Sequence, residues 1–316
     1  MGGLKSVSLD SALTAKAQRA ALMMKSNNKL SHAPSSSCKC SASNGKEAAG
    51  NSNLALGAAG AKAISNYMVD AGSSNTTVGH RRWIMYPPTT KMGSGTTSTT
   101  NALWVLGGGW VMPSGTPSFV SWPNAGYFPA PLEPNGRWSL SATGDVDFSK
   151  ATVSVKDASG RALKVTKQPV VNGYGNNTVV FQVSGLTKPS GTATASYSVQ
   201  VAGFTRTGSS TKITHSYKVH LFNPYKLAKV TNTKRSSFTG TTKVGKKLSA
   251  RVGAWTPAAT SYSYRWVRNG VPISGATAKT YKLTKSDKGK KISVQVTAKR
   301  SGRVNGVSTS TAKTIS

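Results

Sequence analysis

The chain has 316 residues, room for two or three domains with cores of their own. Its 41 Lys and Arg face 8 Asp and Glu for a net charge of +33; residues 1–130 carry +8, residues 131–228 carry +7, and residues 229–316, with 19 basic residues and 1 acid, carry +18. Such a surface seeks a polyanion, and without a run of about 20 apolar residues nothing in the chain spans a membrane as a helix.

In chain order, Ser8-Leu9-Asp10-Ser11 reads as a helix start, with a capping hydroxyl and an acid in the first turn. Leu9, Leu13, Ala17, Ala20, Ala21 and Met24 follow at helical spacing, and Asn27-Asn28 ends the run. Residues 35–53, rich in Ser, Asn, Gly and Ala, read as an irregular loop. Its Cys38 and Cys40 are too few for a zinc site and would close a strained ring, so they are expected as loop thiols, with a local or intermolecular disulfide as the lesser alternative. A second helix is expected over 58–70, with Ile64, Tyr67 and Met68 on one face and Asp70 in the last turn. An acid there opposes the helix dipole and is to be offset by a cation, a histidine or a metal, or else simply solvated and tolerated. Next, Gly79-His80 stands before an apolar run that reads as a strand, a place from which His80 can face a cavity. The two prolines at 87 and 88 stop that run, Ala102–Leu106 gives a further strand, and Gly107-Gly108-Gly109 its turn.

From Trp122 to Pro134 the chain is too rich in proline for a helix or a central strand and reads as an ordered connector. Short strands then alternate with Gly- and Asn-containing turns at 138–141, 151–155, 178–183, 195–201 and 216–221, the pattern of an antiparallel sandwich. His215 and His220 lie on opposite faces of the last of these and cannot share a ligand. This sandwich shows no site chemistry and is expected to act as a spacer. Residues 229–316 form a second, smaller one, with a hairpin at Asn269-Gly270 and a core drawn from Trp255, Tyr262, Tyr264, Trp266 and Tyr281. The expected boundaries are 1–126, 127–226 and 229–316.

Leu30-Ser31-His32, Asn53-Leu54-Ala55, Tyr67-Met68-Val69-Asp70 and Gly79-His80-Arg81-Arg82-Trp83, in that order, resemble the CAP superfamily. This is the SCP-like fold of cysteine-rich secretory proteins, plant pathogenesis-related proteins and bacterial secreted proteins, and the likeness covers about residues 4–120, its bacterial branch most of all. It implies an α/β/α-type sandwich at the N-terminus. Since family members carry an earlier helix, it also implies that the chain starts just after that helix and after a signal peptide. In the family, two histidines and two acids line a cavity that can hold a divalent metal. The resemblance assigns the histidines to His32 and His80 and one acid to Asp70. The other acid belongs to a Gly-Glu-Asn-Leu motif, which matches Asn51-Ser52-Asn53-Leu54, so Ser52 stands in its place; Glu47 lies near enough to substitute. Two imidazoles and a carboxylate would suffice for zinc or magnesium with open positions. Residues 229–316, through Lys243–Leu248, Tyr264–Gly270, Ile273–Thr277 and Tyr281–Thr284, resemble the Ig-like repeat of secreted actinobacterial wall proteins.

The leading expectation is a secreted, non-catalytic surface protein. Its His32/Asp70/His80 cavity would take a metal, a lipid or a small wall fragment. Its basic repeat, through Lys243, Lys246, Lys247, Lys288, Lys290 and Lys291, would hold teichoic acid or peptidoglycan. A metal-dependent protease or wall hydrolase using the same cavity is the alternative, with Ser31 or Ser52 as conceivable nucleophiles outside any nucleophile elbow. A purely adhesive protein with a vestigial cavity is the third reading. Nucleic acid ranks lowest, since no recognition motif accompanies the basic and aromatic residues.

Overall fold

A computed structural model describes residues 2–107 and 111–316, so Gly108 and Gly109 of the expected glycine turn lie outside the described residues. The chain divides into two compact units, Met1–Pro189 with Thr194–Leu221, and Ser190–Ala193 with Phe222–Ser316.

In the first unit a four-stranded sheet in the order β1-β3-β4-β2 is built from β1 (Ser8–Leu9), β2 (Ser52–Leu56), β3 (Lys91–Thr96) and β4 (Thr100–Trp104). β1 runs parallel to β3, and the other pairs are antiparallel. Helix α1 (Ser11–Asn27) and helix α2 (Ser43–Gly50) cover one face through Ala17, Ala21, Ala49, Ala102 and Trp104. Helix α3 (Gly60–Val69) packs through Ala63 and Tyr67 on Leu103 and Val105, on the other face, joined there by Trp83 and Ile84 of helix α4 (Gly79–Ile84). The alternation of Ala102, Leu103 and Trp104 between two apolar layers is the period-2 pattern of a strand buried on both sides. Glycines set the spacing of the layers: a Cβ on Gly93 or Gly95 would lie 2.3 or 2.1 Å from the backbone of α1. The helix therefore lies directly on the β3 main chain.

Several local expectations are corrected. Asp10, not Ser8, caps α1, its Oδ1 accepting the N–H groups of Ala12 and Leu13 at 2.9 and 3.1 Å. Leu9, expected in the helical stripe, is 74% exposed on β1. The loop expected over 35–53 contains α2, whose Gly45, Ala48 and Ala49 are buried. A Cβ on Gly45 would come 2.7 Å from the Met23 sulfur, so packing against α1 overrides the weak propensity of this stretch. The run after Gly79 is helix, not strand, because the Asp70 carboxylate accepts the N–H groups at its first turn.

The same unit holds two further sheets. One has the order β10-β11-β7-β5, from β5 (Phe119–Trp122), β7 (Arg137–Ala142), β10 (Lys164–Lys167) and β11 (Thr178–Ser184). The other runs β6-β13-β12-β8, from β6 (Gly126–Pro129), β8 (Val146–Asp147), β12 (Thr194–Arg206) and β13 (Ile213–Phe222), with β9 (Thr152–Asp157) also paired to β12. Trp138, Leu140, Phe181, Val199, Phe204 and Leu221 fill the shared core. The expected connector is part of this body: β6 is an edge strand, Phe128 is fully buried, and prolines 123 and 129 sit where no ladder N–H is needed.

In the second unit, Ser261–Arg268, Lys291–Lys299 and Gly306–Thr309 form the larger sheet, and Ser237–Thr239, Lys247–Arg251 and Thr280–Lys282 a smaller one. Trp266, Leu248, Ile292, Val294 and Val296 are fully buried, Trp255 is nearly so, and Tyr262, Tyr264 and Tyr281 pack at the margin. Asn269 and Gly270 both have positive φ, 48° and 84°, as a two-residue type I′ hairpin requires.

Candidate functional site

The Asp70 side chain organises the N-terminal body. Asp70 ends α3 in the left-handed conformation, φ 51° and ψ 49°, and is 1% exposed. Its Oδ2 accepts the backbone N–H of His80 at 3.0 Å and of Arg81 at 3.4 Å, and its Oδ1 accepts the His80 Nδ1–H at 2.8 Å. The carboxylate thus sits at the positive end of α4 and fixes the imidazole above it. Tyr67 stacks on the same ring at 5.4 Å, and Asn53 donates to the His80 carbonyl at 3.0 Å.

The next two residues reach into the β-sandwich. Arg81 is 1% exposed and donates to the carbonyls of Met68 and Val69 at the end of α3, and to the Arg137 carbonyl and Ser139 Oγ on β7. Arg137 in turn donates to the Asp70 and Gly72 carbonyls. These two cations at the helix C-terminus offset the acid that the sequence places there. Burial pushes the Arg81 pKa down to about 9, with the Asp70 charge pulling the other way, so the guanidinium stays charged at neutral pH. Arg82 donates to the carbonyls of Val171 at 2.7 Å and Asn176 at 2.9 Å, and its guanidinium lies 5.5 Å from the Tyr174 ring. It pins both ends of the loop between β10 and β11. Burial lowers its pKa to about 10.

A cavity of about 250 Å³ opens above His80. His32, Ser52 and His80 line it together, with Trp83 and Tyr174 as aromatic walls. The His32 Nδ1–H donates to the Ala49 carbonyl at 2.9 Å, so in the neutral form each histidine turns an unprotonated Nε2 away from its anchor. The sequence missed Tyr174, since nothing local ties residue 174 to residue 80. The one available signal is the Asn-Gly-Tyr-Gly-Asn-Asn run at 172–177, an aromatic between two glycines. Gly79 makes room for it, as a Cβ there would meet the Tyr174 ring at 2.9 Å.

The other expected site residues lie elsewhere. Glu47 is paired with Lys16 at 2.8 Å outside the cavity, and Asp70 lies beneath His80, its oxygens taken up by N–H groups. Among the described residues no group of three or more His, Cys, Asp or Glu side chains is placed to hold a metal ion. The donor set therefore does not fit the expected zinc or magnesium centre. Magnesium needs oxygen ligands and catalytic zinc three protein ligands, whereas this cavity offers two imidazoles with the carboxylate withdrawn to orient one of them. Nor, among the described residues, does this cavity pair a nucleophile with a base. Ser31 Oγ accepts the Ala33 N–H, and the buried Ser52 Oγ has no hydrogen-bond partner among the described residues. Cys38 and Cys40 are both free thiols.

In the second unit all six lysines expected to bind a polyanion are exposed. Val244 donates to the Ser316 carbonyl and Gly289 to that of Ile315, which brings the 243–247 and 288–291 segments to the same chain terminus. A groove of about 560 Å³ near Lys234, Arg235, Arg251 and Lys279 adds four more cations. Asp287, the one acid of residues 229–316, is fully buried and bonded to Arg268 Nε at 2.7 Å, Tyr281 and Thr284. Apart from Arg268, no basic side chain of that unit is paired with an acid among the described residues.

Residues 1–106 match the family described as CAP, the cysteine-rich secretory protein family. The N-terminal part of the chain is a CAP-type domain. No curated protein matches the chain. Among solved structures, the N-terminal part of the bacterial S-layer protein SbsC aligns at 14% identity and a TM-score of 0.23, over 56% of this chain and 41% of that one. The two Ig domains of DIP-gamma align at 10% identity and a TM-score of 0.18, over 58% and 90%. So distant a likeness carries no argument about fold or function. The chain thus spans less than half of the S-layer fragment it matches. The CAP match ends at residue 106, so Tyr174 and the loop that walls the cavity lie outside it.

Proposed function

We propose that this is a non-catalytic, extracellular CAP-type protein. It takes a small ligand in the His32/His80 cavity and attaches through its basic C-terminal unit to an anionic wall polymer of the teichoic acid class. The observation that carries attachment is the charge inventory of residues 229–316, 19 cations against one fully buried acid. The surplus far exceeds what solubility asks of a small domain. Binding without turnover is favoured by a cavity whose buried serine, Ser52, is paired with neither histidine.

One feature favours the hydrolytic alternative. A histidine oriented by a buried carboxylate is the arrangement a general base needs. Turnover of wall or peptide substrates that vanishes in His80→Ala would establish that reading.

Attachment is tested by sedimenting the full chain with purified Gram-positive walls, with and without their teichoic acids. Binding should disappear when the acids are stripped, and in 1 M salt, where the screening length falls to about 3 Å. Replacing Lys243, Lys246, Lys247, Lys288, Lys290 and Lys291 by Gln should weaken it. Binding indifferent to salt and to all six substitutions would overturn the electrostatic anchor.

A further inference from the structure

We infer that the cavity above His80 is a composite carbohydrate site, completed by the β-sandwich and shaped for a neutral pyranose. This rests on reading the CAP domain as a ligand-binding rather than catalytic part. No Lys, Arg, Asp or Glu side chain lines the cavity among the described residues. An ionic ligand would therefore enter without a counter-charge. The polar lining is amide, hydroxyl and imidazole, groups that both donate and accept, as the hydroxyls of a sugar ring do.

Two observations point to an occupant. Ser52 is 5% exposed and its Oγ has no partner among the described residues, an arrangement that leaves a buried hydroxyl needing one. And two aromatic side chains from different parts of the chain, Trp83 of α4 and Tyr174 of the β10–β11 loop, form walls of one small cavity. Aromatic faces suit the C–H faces of a pyranose, and the volume of about 250 Å³ admits one ring rather than an extended polymer.

The sandwich's part is built in. Arg82 holds both ends of the loop, at Val171 and Asn176, with its guanidinium against the Tyr174 ring, while Gly79 leaves the space the ring occupies. The same Gly79–Trp83 segment that offers His80 to the cavity thus fastens the loop carrying Tyr174. The wall is preorganised, so a ligand need not order it on binding. The sandwich is a working half of the site rather than a spacer.

The test uses the full-length chain and ligand-observed NMR with N-acetylglucosamine and its β-1,4-linked dimer. Zinc chloride and inorganic phosphate serve as comparison ligands. Saturable saccharide binding should weaken about three- to ten-fold in Tyr174→Ala, the effect of losing one aromatic contact, while Tyr174→Phe binds as the parent does. Ser52→Ala should weaken it several-fold, and thermal unfolding should confirm that each variant is folded. Saccharide binding unchanged in both Tyr174→Ala and Ser52→Ala would overturn the composite site. So would no saccharide binding by a folded parent chain, or binding of zinc or phosphate in its place. Wall attachment through the basic unit is scored separately on the same protein, so failure of the sugar reading leaves the anchor standing or falling by itself.

Discussion

Replacing Asp70 by asparagine probes the centre of the CAP-type domain. Asp70 is 1% exposed, and its two oxygens receive three N–H groups at 2.8, 3.0 and 3.4 Å. A hydrogen bond to a charged group contributes about 1.5–3 kcal/mol, but these three share one carboxylate and do not add. Asparagine keeps the shape and tolerates the left-handed backbone at φ 51°, so strain does not confuse the outcome. It also keeps one acceptor oxygen, yet turns an NH₂ toward a second donor and removes the charge beside the buried Arg81. Losing a hydrogen bond to a charged group costs about 1.5–3 kcal/mol, and the donor left facing an NH₂ places this variant at the upper end, about 3 kcal/mol. For a cooperative body of this size each kcal/mol moves the midpoint by about 2–4 °C, so the first unit should melt roughly 6–12 °C lower. Calorimetry on the full chain reads the midpoint. Hydrogen exchange over residues 79–84 reads the local effect, which should be lost protection at the start of α4. A midpoint within about 1 °C of the parent, with unchanged exchange there, would refute the central role given to this carboxylate.

Further outcomes follow from other contacts. Gly95→Ala should destabilise the first unit by about 1–3 kcal/mol or more in denaturant unfolding, because its Cβ would lie 2.1 Å from the Gln18 backbone nitrogen and α1 must move. His215 packs on Phe119 at 4.4 Å, and burial lowers its pKa below the usual histidine value. The unfolded chain then binds the proton first, so stability held above about pH 6.5 should decline as pH falls through the folded value; His215→Phe should flatten that slope in pH-dependent melts. Burial alone would raise the Asp287 pKa, but hydrogen bonds from Thr284, Arg268 and Tyr281 outweigh it and hold the carboxyl below 3.8. Its stabilisation is therefore present above that pH and lost as acid protonates it. Asp287→Asn should lower the second unit's melting point at pH 7 and shrink its acid sensitivity below about pH 4, followed by Trp fluorescence.

Much of the fold was legible in the residues. The strands at 138–141, 178–183 and 216–221 follow from β-branched and aromatic runs between turns, and Asn269-Gly270 alone specifies its hairpin. What misled was wherever a distant contact outweighed local preference. The 79–84 segment looks like a strand and is a helix because Asp70, ten residues earlier, supplies the acceptor for its first N–H groups. The 43–50 segment looks like a loop and is a helix because its small residues are buried against α1.

The candidate site divides the same way. The resemblance to the CAP family pointed to His32, Ser52, Asp70 and His80 and to the acid missing at 52, while the concentration of charge in residues 229–316 was legible from composition, a local property. Only the tertiary structure decided that Asp70 orients a histidine instead of facing a ligand, and that Glu47 is turned away to Lys16. Only it brought Tyr174 across ninety-four residues to the cavity. A carboxylate's role depends on which N–H groups reach it, and a cavity wall on which loop packs beside it; both are fixed by long-range packing that no short stretch of sequence encodes.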